Sequence, residues 1–326
     1  MDMKEINMKL IEASLAGDLN IVHRLLAEGA DANASDQDQD TSLICAANGS
    51  HFEIVKLLLA SNVDVNAKND KGYTALYVAA ASNAKEALPI IELLLKSGAN
   101  PTLGPTCGND GAGATPLYVA SFNGNNEAVK CLLKNGAPVN ANLEDGSTMM
   151  HAAAAKGNQE TVRLFFHIEV PLDLPRNDGN TPLHIACIVG NLDAATALLD
   201  LGASIESLNG KGETPLWEAV LNNRGKLVRL LLARGASHTP NSIKIAPLHV
   251  AAINGYDDIL LMLIRAGASI VGKYDSCTAI ELAITKKNKS TVDILNAELH
   301  KQKVAANLAS KGRHVTVWVT SGELHI

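Results

Sequence analysis

Short segments in which apolar residues recur at helical spacing are spread along most of the chain. Two examples are Val129-Lys130-Cys131-Leu132-Leu133 and Val228-Arg229-Leu230-Leu231-Leu232, and a glycine follows each of them, at Gly136 and Gly235. Apolar positions repeated every three or four residues favour an amphipathic helix, and a glycine just beyond them favours its end. The pattern therefore predicts many short helices rather than a few long helices or a sheet.

A second kind of segment recurs at a fixed interval. Thr115–Ala120, Thr181–Ala186 and Thr214–Ala219 share the pattern Thr-Pro-Leu-x-x-Ala, and Ala246–Ala251 is a related copy. The first residues of such segments, here called anchors, lie at positions 8, 41, 74, 115, 148, 181, 214, 246 and 278, so most intervals are 33 residues. Internal repeats of this length predict a solenoid of stacked units.

The recurring residues have physical reasons. A threonine anchor can cap a helix through its hydroxyl oxygen, and a proline fits the first turn because no amide donor is needed there. An alanine five residues after every anchor lets neighbouring helices pack closely. A glycine nine residues after several anchors is expected to end the first helix in the left-handed conformation. These glycines are Gly17, Gly124, Gly157, Gly190 and Gly255.

The repeat resembles that of the ankyrin-repeat family, whose units are about 33 residues long and carry Thr-Pro-Leu-His-x-Ala. Thr181–Ala186 matches this motif in full. The resemblance implies an all-α fold, an ankyrin-repeat solenoid of helix-turn-helix units joined by β-hairpin-like fingers. We expect the array to fill residues 1–303 and residues 304–326 to form a C-terminal tail. Three alternatives stay open for the tail: a strand docked on the last repeat, a peptide for another protein, or the start of a longer chain.

Two units depart from the period. The unit that starts at Thr74 is 41 residues long, with extra residues near Ser82–Leu88 and an enlarged, glycine-rich finger at residues 101–114. We expect this finger to be a mobile surface loop. The fifth unit has Glu169 where other units have their second glycine, and prolines follow it. Its finger is therefore expected to be irregular.

Composition and charge exclude several classes of function. The chain has 326 residues, of which 47% are hydrophobic, so it can bury a large core. Its 28 lysines and arginines against 34 aspartates and glutamates give a net charge of -6, which argues against a nucleic acid or an anionic membrane as the main partner. The apolar runs are too short to cross a bilayer. Five scattered cysteines and an N-terminus without an apolar signal region indicate a cytoplasmic protein. Nuclear entry and delivery into a host cell are alternatives.

No motif in the sequence indicates an enzyme, a cofactor or a metal site. His151, His184 and His249 recur three residues after an anchor, where the histidine of the resembled family bonds to backbone between units. The cysteines show no metal-ligand spacing. Cys107 lies in the enlarged finger and is expected to be the thiol most exposed to reagents. We therefore expect no catalytic activity and no cofactor.

The resemblance also implies where a partner would bind. Contacts in ankyrin arrays commonly come from the residue before the anchor and from the seventh and eighth residues after it. In this sequence these positions carry an apolar stripe over the fourth to eighth units, with acidic residues on several fingers and a tryptophan in place of one motif histidine. The predicted contact residues are Asp38, Asp40, Tyr73, Phe122, Ile188, Val189, Glu213, Trp217, Leu221, Ile245 and Ile253.

Exposed apolar residues on adjacent units are unfavourable unless a partner covers them. We therefore predict that the groove binds a helical or extended protein segment with apolar and basic residues. The alternative is that these side chains pack sideways onto neighbouring helices. The predicted function is that of a monomeric, non-catalytic scaffold or adaptor. A substrate-recruiting or regulatory subunit of an enzyme complex, and a secreted bacterial effector that binds host protein, also fit the sequence.

Overall fold

The chain divides into two compact units, the first from Met1 to Lys211 and the second from Gly212 to Ile326. Within the residues that the computed structural model describes, there are eighteen α-helices and four short β-strands. None of these helices is both long enough and apolar enough to pass through a membrane. The described residues are 2–105, 113–140, 143–239, 245–274, 276–310, 318–320 and 323–325.

The helices of the first unit form six consecutive pairs. From the second pair onward, the first helix begins directly after an anchor, and the second helix follows a short turn. The pairs are α1 (Met3–Ala16) with α2 (Leu19–Ala27), α3 (Ser42–Asn48) with α4 (Phe52–Leu59), α5 (Ala75–Ala81) with α6 (Ala87–Lys96), α7 (Pro116–Phe122) with α8 (Asn126–Lys134), α9 (Met149–Lys156) with α10 (Gln159–His167), and α11 (Pro182–Val189) with α12 (Leu192–Asp200).

The anchor threonines cap the first helices, as predicted. The hydroxyl oxygen of Thr74 accepts the backbone N–H of Tyr77 at 3.2 Å. Thr181 forms a capping box with His184, whose Nδ1 accepts the backbone N–H of Thr181 at 3.2 Å. Each cap satisfies an N–H group that the helix itself leaves without a partner. The anchors therefore fix where the first helices begin.

Glycines end several first helices, with one exception to the prediction. Gly17 and Gly190 have φ angles of 82° and 92° and end α1 and α11 in the left-handed conformation. The prediction for Gly157 is wrong, because its φ of -63° and ψ of 162° are those of extended backbone. A Cβ added to Gly157 would lie 2.5 Å from the carbonyl oxygen of Ala153. Close approach, not a positive φ, requires glycine at this position.

The core of the first unit lies along the row of first helices. Consecutive first helices, from α1 to α11, contact one another. The alanines five residues after the anchors are buried between them, because a larger side chain would push the helices apart. Five of these alanines have 0% exposure, namely Ala46, Ala79, Ala120, Ala153 and Ala186.

Hydrogen bonds also join successive fingers. The backbone N–H of Asp70 donates to the carbonyl oxygen of Asp38 at 3.0 Å, and that of Gly210 donates to the carbonyl oxygen of Asp178 at 2.8 Å. These bonds link residues about one repeat apart in the sequence. The fingers of the first unit are therefore held in register with one another as well as with their own helices.

The third repeat, which starts at Thr74, has the longer turn and the enlarged finger that its length predicts. Its helices α5 and α6 are separated by residues 82–86. At the base of the finger, Gly104 approaches Ala114 so closely that an added Cβ would lie 1.9 Å from the Ala114 carbonyl oxygen. Residues 106–112 lie outside the described residues. The predictions of a mobile loop and of a reactive Cys107 fall there.

The finger of the fifth repeat, which starts at Thr148, keeps a hydrogen bond that another finger also has: the backbone N–H of Arg176 donates to the carbonyl oxygen of Asn180 at 2.9 Å, as that of Asn69 does to Tyr73 at 3.0 Å. The predicted irregularity of this finger therefore stays a prediction. Glu169 follows α10 with a φ of 63°, which is the left-handed conformation that the second glycine adopts in other units. Residues 169–181 form turns and bends rather than strands. A non-glycine residue in this conformation is strained by about 1–2 kcal/mol.

The described residues of the second unit contain three helix pairs and four short strands. A hairpin of two-residue strands precedes its last pair, and its last helix has 22 residues, whereas the other second helices have 8 to 10. The elements are α13 (Pro215–Leu221) with α14 (Gly225–Ala233), α15 (Pro247–Asn254) with α16 (Asp257–Arg265), β1 (Lys273–Tyr274), β2 (Cys277–Thr278), α17 (Ala279–Thr285) with α18 (Lys289–Ser310), β3 (Trp318–Thr320) and β4 (Glu323–His325).

The end of the chain differs from a simple tail. Residues 304–310 continue α18, so the predicted boundary at residue 303 falls inside this helix. Beyond it, β3 pairs antiparallel with β4. Docking of this segment on the last repeat stays a prediction.

Candidate interaction groove

The first unit contains a groove of about 1220 Å³ between its first helices and its fingers. Helices α1, α3, α5 and α7 form one side, and the fingers after α2, α4, α8 and α10 form the other. The helices supply apolar side chains that include Ile11, Ile44, Val78 and Val119. The groove is therefore an open, partly apolar surface that spans several repeats.

The finger after α2 gives the groove a concentrated negative charge. Asp36, Asp38 and Asp40 all line it. Oδ1 of Asp36 accepts the backbone N–H groups of Asp38 at 3.0 Å and Asp40 at 2.9 Å, which holds the finger in one conformation. Among the described residues, no lysine or arginine lies within 4.0 Å of these three carboxylates. Their charge is therefore available to a ligand.

Charge is unbalanced over the whole lining of the groove. Its acidic residues outnumber its basic ones by six to two. At the far end Arg176 pairs with Asp145 at 3.5 Å and more closely with Asp178, which partly neutralises that end. The guanidinium of Arg176 holds the pKa of Asp178 well below its usual range. The acidic residues are Glu12, Asp36, Asp38, Asp40, Glu144 and Asp145, and the basic ones are Lys71 and Arg176.

Two stacked pairs of aromatic rings line the groove between these ends. The rings of Tyr73 and Tyr77 are 5.0 Å apart between centroids and 5° from parallel. The rings of Tyr118 and Phe122 are 6.4 Å apart and 13° from parallel. Stacked rings are held rigidly and present flat apolar surfaces.

One asparagine connects the acidic finger to the first aromatic pair. The side-chain amide of Asn69 donates to Oδ1 of Asp40 at 2.9 Å, while its own Oδ1 accepts the backbone N–H of Tyr73 at 2.8 Å. Asp40 and the backbone of Tyr73 are therefore bonded to the same amide group. Partial burial raises the pKa of Asp40, and the neighbouring Asp36, Asp38 and Asp70 act in the same direction.

The groove shows no arrangement for metal binding or thiol chemistry. Among the described residues, no group of three or more His, Cys, Asp and Glu side chains is placed to hold a metal ion. Cys45 lines the groove, but burial and the nearby Asp40 and Asp36 raise its pKa to about 12. The thiolate, which is the nucleophile, is therefore suppressed at neutral pH.

Comparison with known proteins explains this architecture. Residues 10–105, 102–175 and 165–242 match the family model of ankyrin repeats in three copies, and residues 245–273 match that of a single ankyrin repeat. The chain belongs to the ankyrin repeat family. The crystal structure of the human ASB11 ankyrin repeat domain is similar, with 25% sequence identity and a TM-score of 0.59 over 71% of this chain and 99% of that chain. No curated protein sequence matches this one.

Ankyrin repeats form protein-interaction domains, so this chain carries one. The fold is typically non-catalytic. It does not identify the partner, because the same fold presents different surfaces in different proteins.

The motif histidines have the structural role that the ankyrin resemblance implies. Nε2 of His151 donates to the carbonyl oxygen of Asn180, the residue directly before the next anchor, at 3.0 Å. Its Nδ1 accepts the backbone N–H of Thr148 at 3.1 Å, which fixes the tautomer with the proton on Nε2. Burial lowers the pKa of His151 to about 4. This imidazole therefore stays neutral and ties α9 to the backbone directly before the next ankyrin repeat.

The structure brings four of the predicted contact residues together in the ankyrin groove of the first unit. Asp38, Asp40, Tyr73 and Phe122 all line it. Ile188 and Val189 are at the end of α11 in the same unit but are not part of the groove lining. Of these two, Val189 is 43% exposed.

The other five predicted contact residues belong to the second unit. Leu221 is 41% exposed at the end of α13, and Ile253 is partly exposed on α15. The indole N–H of Trp217 donates to the carbonyl oxygen of Ile245, directly before the next anchor, at 3.1 Å, so these two residues contact each other. Glu213 is 6% exposed and offers a partner little surface. Their role as contacts stays a prediction.

Sequence reasoning missed several residues of the groove. Tyr77 occupies the motif histidine position of its unit, as Tyr118 does in the next, and this replacement was the available signal for an aromatic floor. Arg176 and Asn69 gave no comparable signal, because they lie in fingers without a distinctive motif. Their place in the groove depends on how successive fingers stack.

Proposed function

We propose that this protein is a non-catalytic adaptor whose first unit binds a segment of another protein in the groove. The bound segment carries basic and apolar residues. The observation that supports this most strongly is the combination, in one groove, of the acidic finger Asp36–Asp40 with two stacked aromatic pairs. The protein acts as a monomer in the cytoplasm.

Charge complementarity argues for a basic segment. Uncompensated carboxylates attract a cationic partner from a distance and reject acidic competitors. Acidic residues outnumber basic ones along the groove lining, and Arg176 neutralises only the end that carries Asp145. The attraction is therefore strongest at the opposite end. Basic residues of the segment are therefore expected next to the finger that carries Asp38.

The aromatic and aliphatic lining argues for apolar residues between the basic ones. Aromatic side chains dominate the energetics of protein interfaces because they bury large areas with little loss of side-chain freedom. Phe122 is 40% exposed and lies beside Tyr118 in the groove lining, so it belongs to a contiguous apolar surface of the kind that a partner commonly covers. A segment that covers it would remove this surface from water.

Affinity capture from a lysate of the native cell tests the proposal. The groove variant Asp38→Lys with Phe122→Ala is compared with the intact protein. The matched control is Glu92→Lys with Phe166→Ala, since both residues are exposed and lie outside the groove lining, and Phe166 is 39% exposed. We expect the control to retain the partner and the groove variant to lose at least about 1–2 kcal/mol of binding free energy. Equal capture by both variants, with both folded, would contradict the proposal.

A third variant in the same experiment tests Leu221 and Ile253, the part of the predicted apolar stripe that lies in the second compact unit. Leu221→Asp with Ile253→Asp introduces two charges at its exposed positions. Loss of the partner with this variant alone would move the binding surface to the second unit. Loss with both this variant and the groove variant would show that the segment contacts both units.

A substrate-recruiting or regulatory subunit of an enzyme complex is the second candidate function. The observation that favours it is the length of α18, which at 22 residues is more than twice as long as the other second helices and leaves extra surface at this end. Removal of residues 304–326, which shortens α18, separates the two functions. An adaptor keeps its groove partner without them, whereas a recruiting subunit loses its catalytic partner.

A further inference from the structure

We infer that the groove selects arginine over lysine in the segment that it binds, and that Tyr73 makes the selection together with Asp40. This inference rests on the proposed function, because it concerns the chemistry of the same segment. Tyr73 supplies a flat ring and Asp40 a carboxylate, and a guanidinium group can use both at once.

The ring of Tyr73 is supported by a second, stacked ring. Its partner ring, Tyr77, is buried at 5% exposure in α5, whereas Tyr73 is only partly buried and lines the groove. The two rings are almost parallel. The buried ring therefore supports the outer one from behind and keeps its orientation fixed.

The carboxylate of Asp40 is connected to Tyr73 through Asn69. The two hydrogen bonds of Asn69, to Asp40 and to the backbone N–H of Tyr73, connect the acidic finger to the backbone that carries the Tyr73 ring. Asp36 and Asp38 add negative charge from the same finger. A cationic side chain that reaches Tyr73 thus meets a carboxylate within about the length of one side chain.

Another aromatic ring of the groove already holds a cation. The ammonium group of Lys156 lies 5.4 Å from the centroid of the Phe122 ring. The electron-rich face of an aromatic ring attracts cations, most strongly where water is partly excluded. The floor of the groove therefore has the chemistry that a cationic side chain requires.

The geometry favours arginine over lysine. A guanidinium group is planar, so it can stack on a tyrosine ring while its edge donates two hydrogen bonds to a carboxylate. An ammonium group is a strongly hydrated point charge and has no plane to stack. It would keep the attraction to Asp40 and lose the contact with Tyr73.

Selection of peptides from a random library tests the inference without knowledge of the partner. A displayed library of random twelve-residue peptides is selected on the intact protein and on the variants Tyr73→Leu and Tyr73→Phe. The measured quantity is the ratio of arginine to lysine among enriched peptides, divided by the ratio in the starting library. We expect a ratio of about five or more for the intact protein and for Tyr73→Phe, which keeps the ring, and a ratio near one for Tyr73→Leu.

The outcomes separate this inference from the proposed function. Enriched peptides that carry arginine and lysine in library proportion would overturn the inference and leave the groove proposal intact. No enrichment relative to the groove variant Asp38→Lys with Phe122→Ala would overturn both. A preference for arginine that survives in Tyr73→Leu would show that Tyr73 is not the selecting residue.

A titration with one enriched peptide completes the test. Replacing each of its arginines by lysine in turn should weaken binding to the intact protein about 5–10-fold at one position. The same replacement should change binding to Tyr73→Leu less than twofold, because the ring that distinguishes the two side chains is absent. Equal losses with both proteins would contradict the pairing of that arginine with Tyr73.

Discussion

At the residue scale, the ring of His249 is bonded through only one of its two nitrogens. In the repeat of His151 both ring nitrogens are bonded, Nε2 to a backbone carbonyl oxygen and Nδ1 to the anchor. Nε2 of His249 donates to the carbonyl oxygen of Gly272 at 3.0 Å. Its Nδ1 is buried and, among the described residues, has no partner. The anchor of this repeat is Ala246, which lacks the hydroxyl oxygen that lies 2.9 Å from Nδ1 of the motif histidine in the Thr148 and Thr181 repeats. A buried polar atom without a hydrogen bond destabilises the folded state by about 1–3 kcal/mol.

Restoring the missing hydroxyl should stabilise the protein. We expect Ala246→Thr to raise the free energy of unfolding by about 1 kcal/mol, because the new side chain caps α15 and gives Nδ1 of His249 a donor. Thr181→Ala, which removes the same group from a complete capping box, should lower it by a similar amount. Urea unfolding followed by circular dichroism measures both. An Ala246→Thr variant no more stable than the intact protein would contradict this account of the anchor.

The neutral state of His151 makes stability depend on pH. Its pKa is about 4 in the folded protein against a reference value of 6.5. The unfolded chain therefore binds the proton more readily, and the stabilisation is complete above pH 6.5 and falls as the pH drops from 6.5 to about 4. The loss from this group amounts to about 3 kcal/mol at most. An NMR titration of the ring nitrogens should give a pKa near 4, and a pKa of 6 or above would contradict the buried, neutral assignment.

At the element scale, the fingers depend on close contact between their backbones. Gly179 and Gly202 have similar φ angles, 81° and 94°. A Cβ added to Gly179 would lie 2.2 Å from the backbone nitrogen of Gly210 in the next finger, whereas one added to Gly202 meets nothing within 4 Å. The two positions therefore separate the effect of finger contact from that of backbone conformation.

Alanine at these two positions should have unequal effects. Gly202→Ala should lower the free energy of unfolding by about 1 kcal/mol through its left-handed conformation alone. Gly179→Ala should lower it by at least about 1 kcal/mol more, because the finger contact must also open. Thermal unfolding of the two variants gives the comparison. Equal losses would show that the contact between fingers does not contribute to stability.

Most of the elements could be predicted from the sequence because their causes are local. Thr74 and Thr181 mark helix starts through hydrogen bonds that span three residues, and Gly17 and Gly190 mark helix ends through their own backbone angles. Gly157 was predicted wrongly because its reason is a close approach to Ala153, which the repeat pattern does not show.

At the scale of the whole molecule, the candidate site was harder to predict than the fold. The repeat register predicted Asp40, Tyr73 and Phe122 as contact residues, and the structure brings them into one groove. The sequence also predicted an apolar stripe from the fourth to the eighth repeat, but Ile188, Leu221 and Ile253 of that stripe do not line this groove. The contacts of Asn69 and Arg176 could not be predicted, because they depend on how neighbouring fingers meet.

In the proposed function, the groove of the first compact unit is the surface that binds the partner. Photo-crosslinking tests it most directly, with benzoylphenylalanine in place of Phe122 or, as the control, in place of Phe166. The two phenylalanines are 40% and 39% exposed, and only Phe122 lines the groove. After irradiation in the native cell, we expect one abundant crosslinked protein from position 122 and none above background from position 166. A partner that crosslinks equally from both positions, or only from 166, would contradict the claim.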